Sequence, residues 1–295
     1  RRHSFPTRRS SDLENSPTVT GLDGGGFVIS WTDASGAFDD DLSGTAIVAQ
    51  MFDADGIKQG DAFLVNTEAM ESQADPAITR LAGGGFVVTW TDNSGTDDPD
   101  SSGIKAQRFG ANGQKLGNEL LVNTELGGAQ SNPTVTALAG GGFVVTWQDS
   151  SGRLGDNDSY SIKAQIFGAT GMKQGGEFLV NTETANDQSE PTITGLADGG
   201  FVVTWQDYSG TLGDNDNYSI KAQVFNASGV KQGGEFLVNT ETQGAQSSPA
   251  IAALASGGFA VTWSDFNAFG VKVQVFDVQT DAAIVAHPPV IDSNG

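Results

Sequence analysis

Gly141-Gly142-Phe143-Val144-Val145-Thr146-Trp147-Gln148-Asp149 decides the fold, because the chain writes this phrase five times. The other copies read GGGFVISWTD around Trp31, GGGFVVTWTD around Trp90, DGGFVVTWQD around Trp205 and SGGFAVTWSD around Trp263. These five are all the tryptophans of the chain, spaced 59, 57, 58 and 58 residues apart. A fixed period of this length defines a repeated supersecondary module.

Working outward from the phrase, Phe143, Val145 and Trp147 fall on one face of a strand and Val144 and Thr146 on the other, as the two-residue period of a strand requires. Upstream lies a second alternating segment that opens on proline: PTVTGL from Pro17, PAITRL from Pro76, PTVTAL from Pro133, PTITGL from Pro191 and PAIAAL from Pro249. A glycine-rich turn joins it to the tryptophan strand as a hairpin. Downstream follow a variable loop, a third strand such as Ile162 to Phe167, a Gly-Ala-Thr-Gly turn, and a fourth strand in EFLVNTE from Glu177. Each unit is therefore a four-stranded antiparallel meander, and five in succession predict an all-β, five-bladed β-propeller. A β-solenoid, or a fragment of a larger propeller, is the alternative. The fifth unit lacks EFLVNTE, so its outer strand comes either from Ala282 to Ala286 or from chain upstream of Glu14.

Meander topology places the loop after each tryptophan and the return to the next unit on one face, and the glycine turns on the other. Binding groups are expected on the looped face. There the copies read DASGAFDDDLSG, DNSGTDDPDSSG, DSSGRLGDNDSY and DYSGTLGDNDNY. Each carries an Asp-x-Asp pair: Asp39 and Asp41, Asp98 and Asp100, Asp156 and Asp158, Asp214 and Asp216. An aspartate also stands two residues after every tryptophan, at Asp33, Asp92, Asp149, Asp207 and Asp265. Clustered hard oxygen donors suit calcium, so the paired aspartates are the candidate Ca2+ ligands, with Asp33, Asp92, Asp149 and Asp207 as weaker ones. The fifth copy has lost the pair but kept its strands and Asp265, which gives the Trp-plus-two aspartate a structural reading as well. Asp53-Ala54-Asp55-Gly56 reads as a hairpin turn. Tyr160, Tyr208 and Tyr218 in the loops are candidate glycan contacts, whereas the tryptophans, in register with Phe, read as core.

The chain has 295 residues, no cysteine and a formal charge of −21. This balance argues against nucleic acid and anionic membranes as partners, and no apolar run is long enough to insert into a bilayer. Histidine occurs only at His3 and His287, outside the repeats, so acid–base chemistry based on histidine is not open to them. The proline-led inner strands offer Thr, Val, Ile and Ala, with Arg80 as their lone charge. The expectation is therefore a module that is not an enzyme.

The repeated GGFVVTW, IKAQVF and GGEFLVNT motifs, spanning Glu14 to about Asp277, resemble those of large secreted bacterial proteins of the RTX and adhesin type. They are more loosely similar to the FG-GAP propeller blades of integrin α chains. The resemblance implies a non-catalytic, calcium-dependent module of an extracellular or surface protein that binds cell-surface or matrix glycans or proteins. A multivalent glycan-binding propeller is the alternative, and a hydrolase ranks third. His3 to Leu13 resembles a translated sequencing adapter, so residues 1–13 are set aside from fold reasoning. Residues 14–286 form the repeat domain, and 287–295, with Pro288-Pro289, read as a linker to a further module in a longer chain.

Overall fold

The computed structural model describes residues 14–36, 44–67, 71–96, 101–156, 159–278 and 284–286. They form five four-stranded sheets and, among the described residues, no helix. Blade 1 comprises β1 (Glu14–Gly21), β2 (Phe27–Asp33), β3 (Ala46–Phe52) and β4 (Lys58–Leu64). Blade 2 comprises β5 (Gln73–Arg80), β6 (Phe86–Asp92), β7 (Gly103–Phe109) and the short β8 (Leu120–Leu121). Blade 3 follows with β9 (Gln130–Ala137), β10 (Phe143–Asp149), β11 (Ser161–Phe167) and β12 (Lys173–Leu179). Blade 4 has β13 (Gln188–Gly195), β14 (Phe201–Asp207), β15 (Ser219–Phe225) and β16 (Lys231–Leu237). Blade 5 has β17 (Gln246–Ala253), β18 (Phe259–Asp265), β19 (Gly270–Val278) and β20 (Ile284–Ala286). Every sheet is an antiparallel meander in chain order. The fifth blade takes its outer strand from its own chain, since Ile284–Ala286 pairs with Phe276–Val278 of β19.

Alternation in the tryptophan strand gives each blade two apolar faces, and they pack with one polarity. The front of blade 3, with Phe143, Val145 and Trp147, meets the back of blade 2, with Val87, Ile104, Ala106 and Val122. The other three consecutive pairs repeat the arrangement. Trp90, Trp147 and Trp205 are 0% exposed, so they are core residues. In every blade the strand-two phenylalanine stacks on its strand-three partner, with ring centroids 4.8 to 5.0 Å apart. The last glycine before that phenylalanine is demanded by a close approach. A Cβ on Gly142 would lie 2.1 Å from the Phe167 carbonyl oxygen, and Gly26, Gly85, Gly200 and Gly258 meet the equivalent oxygen.

Polar clasps tie consecutive blades together at the outer strands. Lys173 Nζ donates to Asn123 O at 3.1 Å and Thr124 Oγ1 at 3.0 Å, while Glu177 accepts the Thr124 and Glu125 backbone N–H groups. Lys115 with Glu119, and Lys231 with Glu235, repeat this on blades 1 and 3. Burial lowers the pKa of all three lysines, against a smaller raising effect of the glutamate on the same strand. A second tie explains the Leu-Val-Asn motif. Asn181 accepts the Ile162 N–H at 2.9 Å and donates to Gln188 Oε1 at 3.0 Å, joining blade 3 to the first residue of β13.

Candidate functional site

The inner strands start three residues before their prolines, and this places the site. In each, the ladder breaks at a bulge around the proline, where the missing N–H cannot pair. The residue before it takes a left-handed backbone: Ser16, Asp75, Asn132, Glu190 and Ser248 have φ of 49°, 51°, 52°, 50° and 53°. A bulge re-aims the side chain it carries. Here all five, with their prolines, line one cavity of about 570 Å³ shared by the five inner strands, the position of a propeller axis. The volume suits a small-molecule ligand.

The ring is chemically uneven: Ser, Asp, Asn, Glu, Ser around the axis, above a collar of proline rings. Asp75 on blade 2 and Glu190 on blade 4 flank Asn132 on blade 3. Ser16 Oγ donates to Asp75 Oδ1 at 3.4 Å, linking blades 1 and 2, and Glu190 N–H donates to Gln148 Oε1 at 3.4 Å. The described residues lining the cavity include no lysine or arginine. Arg80 lies at the opposite end of β5, paired with Asp23 of the first hairpin turn. The sequence expectation that Arg80 is the lone charge of the inner strands is thus corrected. Starting the strands at proline left Asp75 and Glu190 in the preceding loop.

Of the candidate calcium ligands, Asp39, Asp41, Asp98, Asp100 and Asp158 lie outside the described residues. Asp156 is 1% exposed, and its Oδ2 accepts the Asn181 side-chain N–H at 2.9 Å. Asp214 is likewise enclosed, with Oδ2 accepting from Asn239 at 2.8 Å and Oδ1 from the Asp216 N–H at 3.3 Å. Burial pushes the Asp214 carboxyl up despite those bonds. Asp216 accepts the Gly244 N–H at 3.1 Å. The first aspartate of the pair in blades 3 and 4 thus turns inward onto the Asn–Gln tie, and no group of three metal-ligating side chains occurs among the described residues.

The aspartates two residues after tryptophan are also enclosed. Asp33, Asp149 and Asp207 each accept the N–H and the hydroxyl of the serine two residues on, at 2.5 to 3.0 Å. In blades 2, 3 and 4 they also meet a buried lysine, with Asp92–Lys105 at 3.2 Å and both Asp149–Lys163 and Asp207–Lys221 at 2.9 Å. The lysine reaches the clasp glutamate as well, at 3.9, 3.5 and 3.4 Å to Glu119, Glu177 and Glu235. Blade 1 has Val48 at the lysine position and Ala62 at the glutamate position. The charged pair is absent there as a unit.

Tyr208 and Tyr218 pack against each other with ring centroids 4.9 Å apart and planes tilted by 41°, and Tyr208 is 44% exposed. The Tyr160 and Tyr218 carbonyls accept the N–H groups of Gln188 and Gln246, and Tyr208 N–H donates to Asp187 O. These bonds fasten the loops to the starts of β13 and β17, the strand ends that carry the cavity-lining residues.

No protein-family model matches the chain, and no curated protein sequence matches it. Solved structures do match in fold. A protein of unknown function from Dyadobacter fermentans superposes with a TM-score of 0.60 at 12% identity, covering 98% of this chain and 85% of that one. The NanB sialidase of Streptococcus pneumoniae gives 0.63 at 12% identity, covering 95% of this chain and 62% of the sialidase chain. The GH93 α-L-arabinofuranosidase of Fusarium graminearum gives 0.58 at 12% identity, covering 94% and 82%. The chain is a β-propeller of four-stranded antiparallel blades. The expectations of a non-catalytic calcium-binding module and of a chain that is not an enzyme are corrected here. The propellers it resembles include glycosidases, and two carboxylates stand at the axis where none was expected.

Proposed function

We propose that the axial cavity binds a carbohydrate and that the chain cleaves glycosidic bonds with Asp75 and Glu190. The observation that carries this is the ring of pre-proline residues, which brings two carboxyl groups from separate blades to one cavity of sugar-binding size. Hydrolysis by a carboxyl pair needs one group to protonate the leaving oxygen and another to act as base or nucleophile. Ser16, Asn132 and Ser248 supply hydrogen bonds for sugar hydroxyls, and the proline collar supplies apolar surface for the C–H face of a ring. The glycosidase fold of the neighbours supports the reading. With two acids and no basic residue among the described residues lining the cavity, in a chain of net charge −21, the proposed substrates are uncharged glycans rather than sialylated ones. Tyr208 and Tyr218, packed against each other beside the start of β13 and β17, extend the proposed sugar-contacting surface. An extracellular setting is proposed with it, supported by the resemblance to repeats of secreted RTX and adhesin-type proteins.

The test is hydrolysis of a panel of neutral and sialylated nitrophenyl glycosides. Turnover of a neutral member is expected, falling at least about 100-fold in kcat for Asp75→Asn and for Glu190→Gln, the scale of lost acid–base catalysis. Unchanged melting temperatures would show that the fold survives. Binding without turnover, or full activity in both variants, overturns the catalytic assignment.

A further inference from the structure

Four junctions between five blades leave two apolar faces uncovered, the front of blade 1 and the back of blade 5. Trp31 alone of the five tryptophans is partly exposed. Beside it, Val19 is 61% exposed, whereas its counterparts Ile78 and Val135 are at 8% and 9%. A cleft of about 310 Å³ opens on this front, lined by Glu14, Asn15, Pro17, Ile29 and Trp31. On the back of blade 5, Val271 is 57% exposed, against 0% for Ile104, Ile162 and Ile220 at the same position. Inner strands of consecutive blades pack side by side, but β17 does not pack on β1 in that way.

We infer that these two faces are the seat of one further four-stranded blade of this same repeat. The polarity of the four existing junctions carries the inference. A front always meets a back, and one blade owns one of each, so a single blade satisfies both free faces. Direct closure of blade 5 onto blade 1 would require repacking four buried apolar junctions, whose side chains interdigitate and resist such adjustment. A second copy joined blade 5 to blade 1 would make a head-to-tail contact, which leaves faces open at each end unless it closes into a ring. It would also bring together two chains of −21 charge. The incoming back needs no partner for a clasp glutamate, because blade 1 carries Ala62 there. It needs an apolar surface for Trp31.

The test fuses a copy of residues 188–245, one complete blade unit, directly before Glu14. Gln188 and Glu14 hold the same register position, since they pair with Asp207 and Asp33, so the phase of the repeat is kept. In the original chain, iodide is expected to quench the emission of one tryptophan in five, identified by its loss in Trp31→Phe. In the extended chain that fraction should vanish and the melting temperature rise. Val271→Lys should leave the melting temperature of the original chain unchanged and lower that of the extended one. Trp31 shielded in the original chain as a monomer would favour direct closure and overturn the inference, as would a dimer that shields it. A destabilising Val271→Lys in the original chain would overturn it too, without recourse to the extension.

Discussion

Replacing Lys163 by methionine should destabilise blade 3 through its charged interior. The Lys163 side chain is 0% exposed and sits 2.9 Å from Asp149 and 3.5 Å from Glu177, donating also to Ser151 Oγ at 2.8 Å. At an effective dielectric of about 20, each ion pair attracts by roughly 5 kcal/mol, most of it offset by the desolvation of three buried charges. Removing one partner leaves the others uncompensated, which costs about 3–5 kcal/mol. The Asp149 oxygen that faces Lys163 keeps its two bonds from Ser151, whereas Thr124 and Glu125 bond the other oxygen of Glu177 and leave Oε1, which faces Lys163, without a hydrogen bond, so the loss falls mainly on Glu177. Adding Glu177→Gln should then recover about 1–3 kcal/mol, the usual coupling between residues in one network, because Gln still offers an acceptor to Thr124 N–H. Blade 1, with Val48 and Ala62, is the natural precedent for discharging both positions together. Urea denaturation followed by far-UV circular dichroism measures the cycle, with a constant m-value showing that the exposed surface is unchanged. The melting temperature of the single variant should fall by at least about 6 °C, taking the lower end of 2 °C per kcal/mol for a large domain. A Lys163→Met variant within about 1 kcal/mol of the parent, or strict additivity in the double variant, would refute the reasoning.

Gly142→Ala should destabilise by at least about 2 kcal/mol, since its Cβ would meet a strand carbonyl at 2.1 Å, while Gly140→Ala, with nothing within 4 Å, should be close to neutral in the same denaturation assay. For Asp214, burial raises the folded pKa above 3.8. Between 3.8 and that raised value the native state binds more protons than the unfolded one, so this group adds stability as pH falls and costs stability once ionised. Asp214→Asn should therefore match or exceed the parent in melting temperature at pH 7 and lose this contribution to the acid-side slope; a large loss at pH 7 would refute it.

The blade was legible in the sequence because its determinants are local. Phe143, Val145 and Trp147 share a face by strand period alone, and Gly142 marks the turn that precedes them. The clasps were not legible, since Lys173 finds Asn123 and Thr124 about fifty residues away on another blade, and no periodicity within a repeat reports a contact between repeats. Asp156 and Asp214 looked like open metal ligands because the loop is acidic. Their inward turn depends on Asn181 and Asn239, 25 residues downstream. Asp75 and Glu190 are hidden by a boundary, because alternation in the sequence starts each strand at its proline, whereas the strand begins three residues earlier and bulges around it. One signal was present: the five pre-proline positions read Ser, Asp, Asn, Glu and Ser while the proline beside them never changes.

That difference between copies has a physical reason on the proposed reading. Five blades bring five equivalent side chains to one axis, so a carboxylate repeated in every copy would gather five like charges around a single cavity, and each would oppose the ionisation of the others. A uniform serine ring would be stable and could bind a sugar, but it would supply neither a strong acid nor a base. Separating Asp75 from Glu190 by Asn132 puts two carboxyl groups at the axis with a neutral hydrogen-bonding residue between them, and the serines of blades 1 and 5 flank the three. The strands agree between copies because every junction repeats the same packing problem. The axial ring differs because chemistry at a symmetry axis requires the symmetry to be broken there.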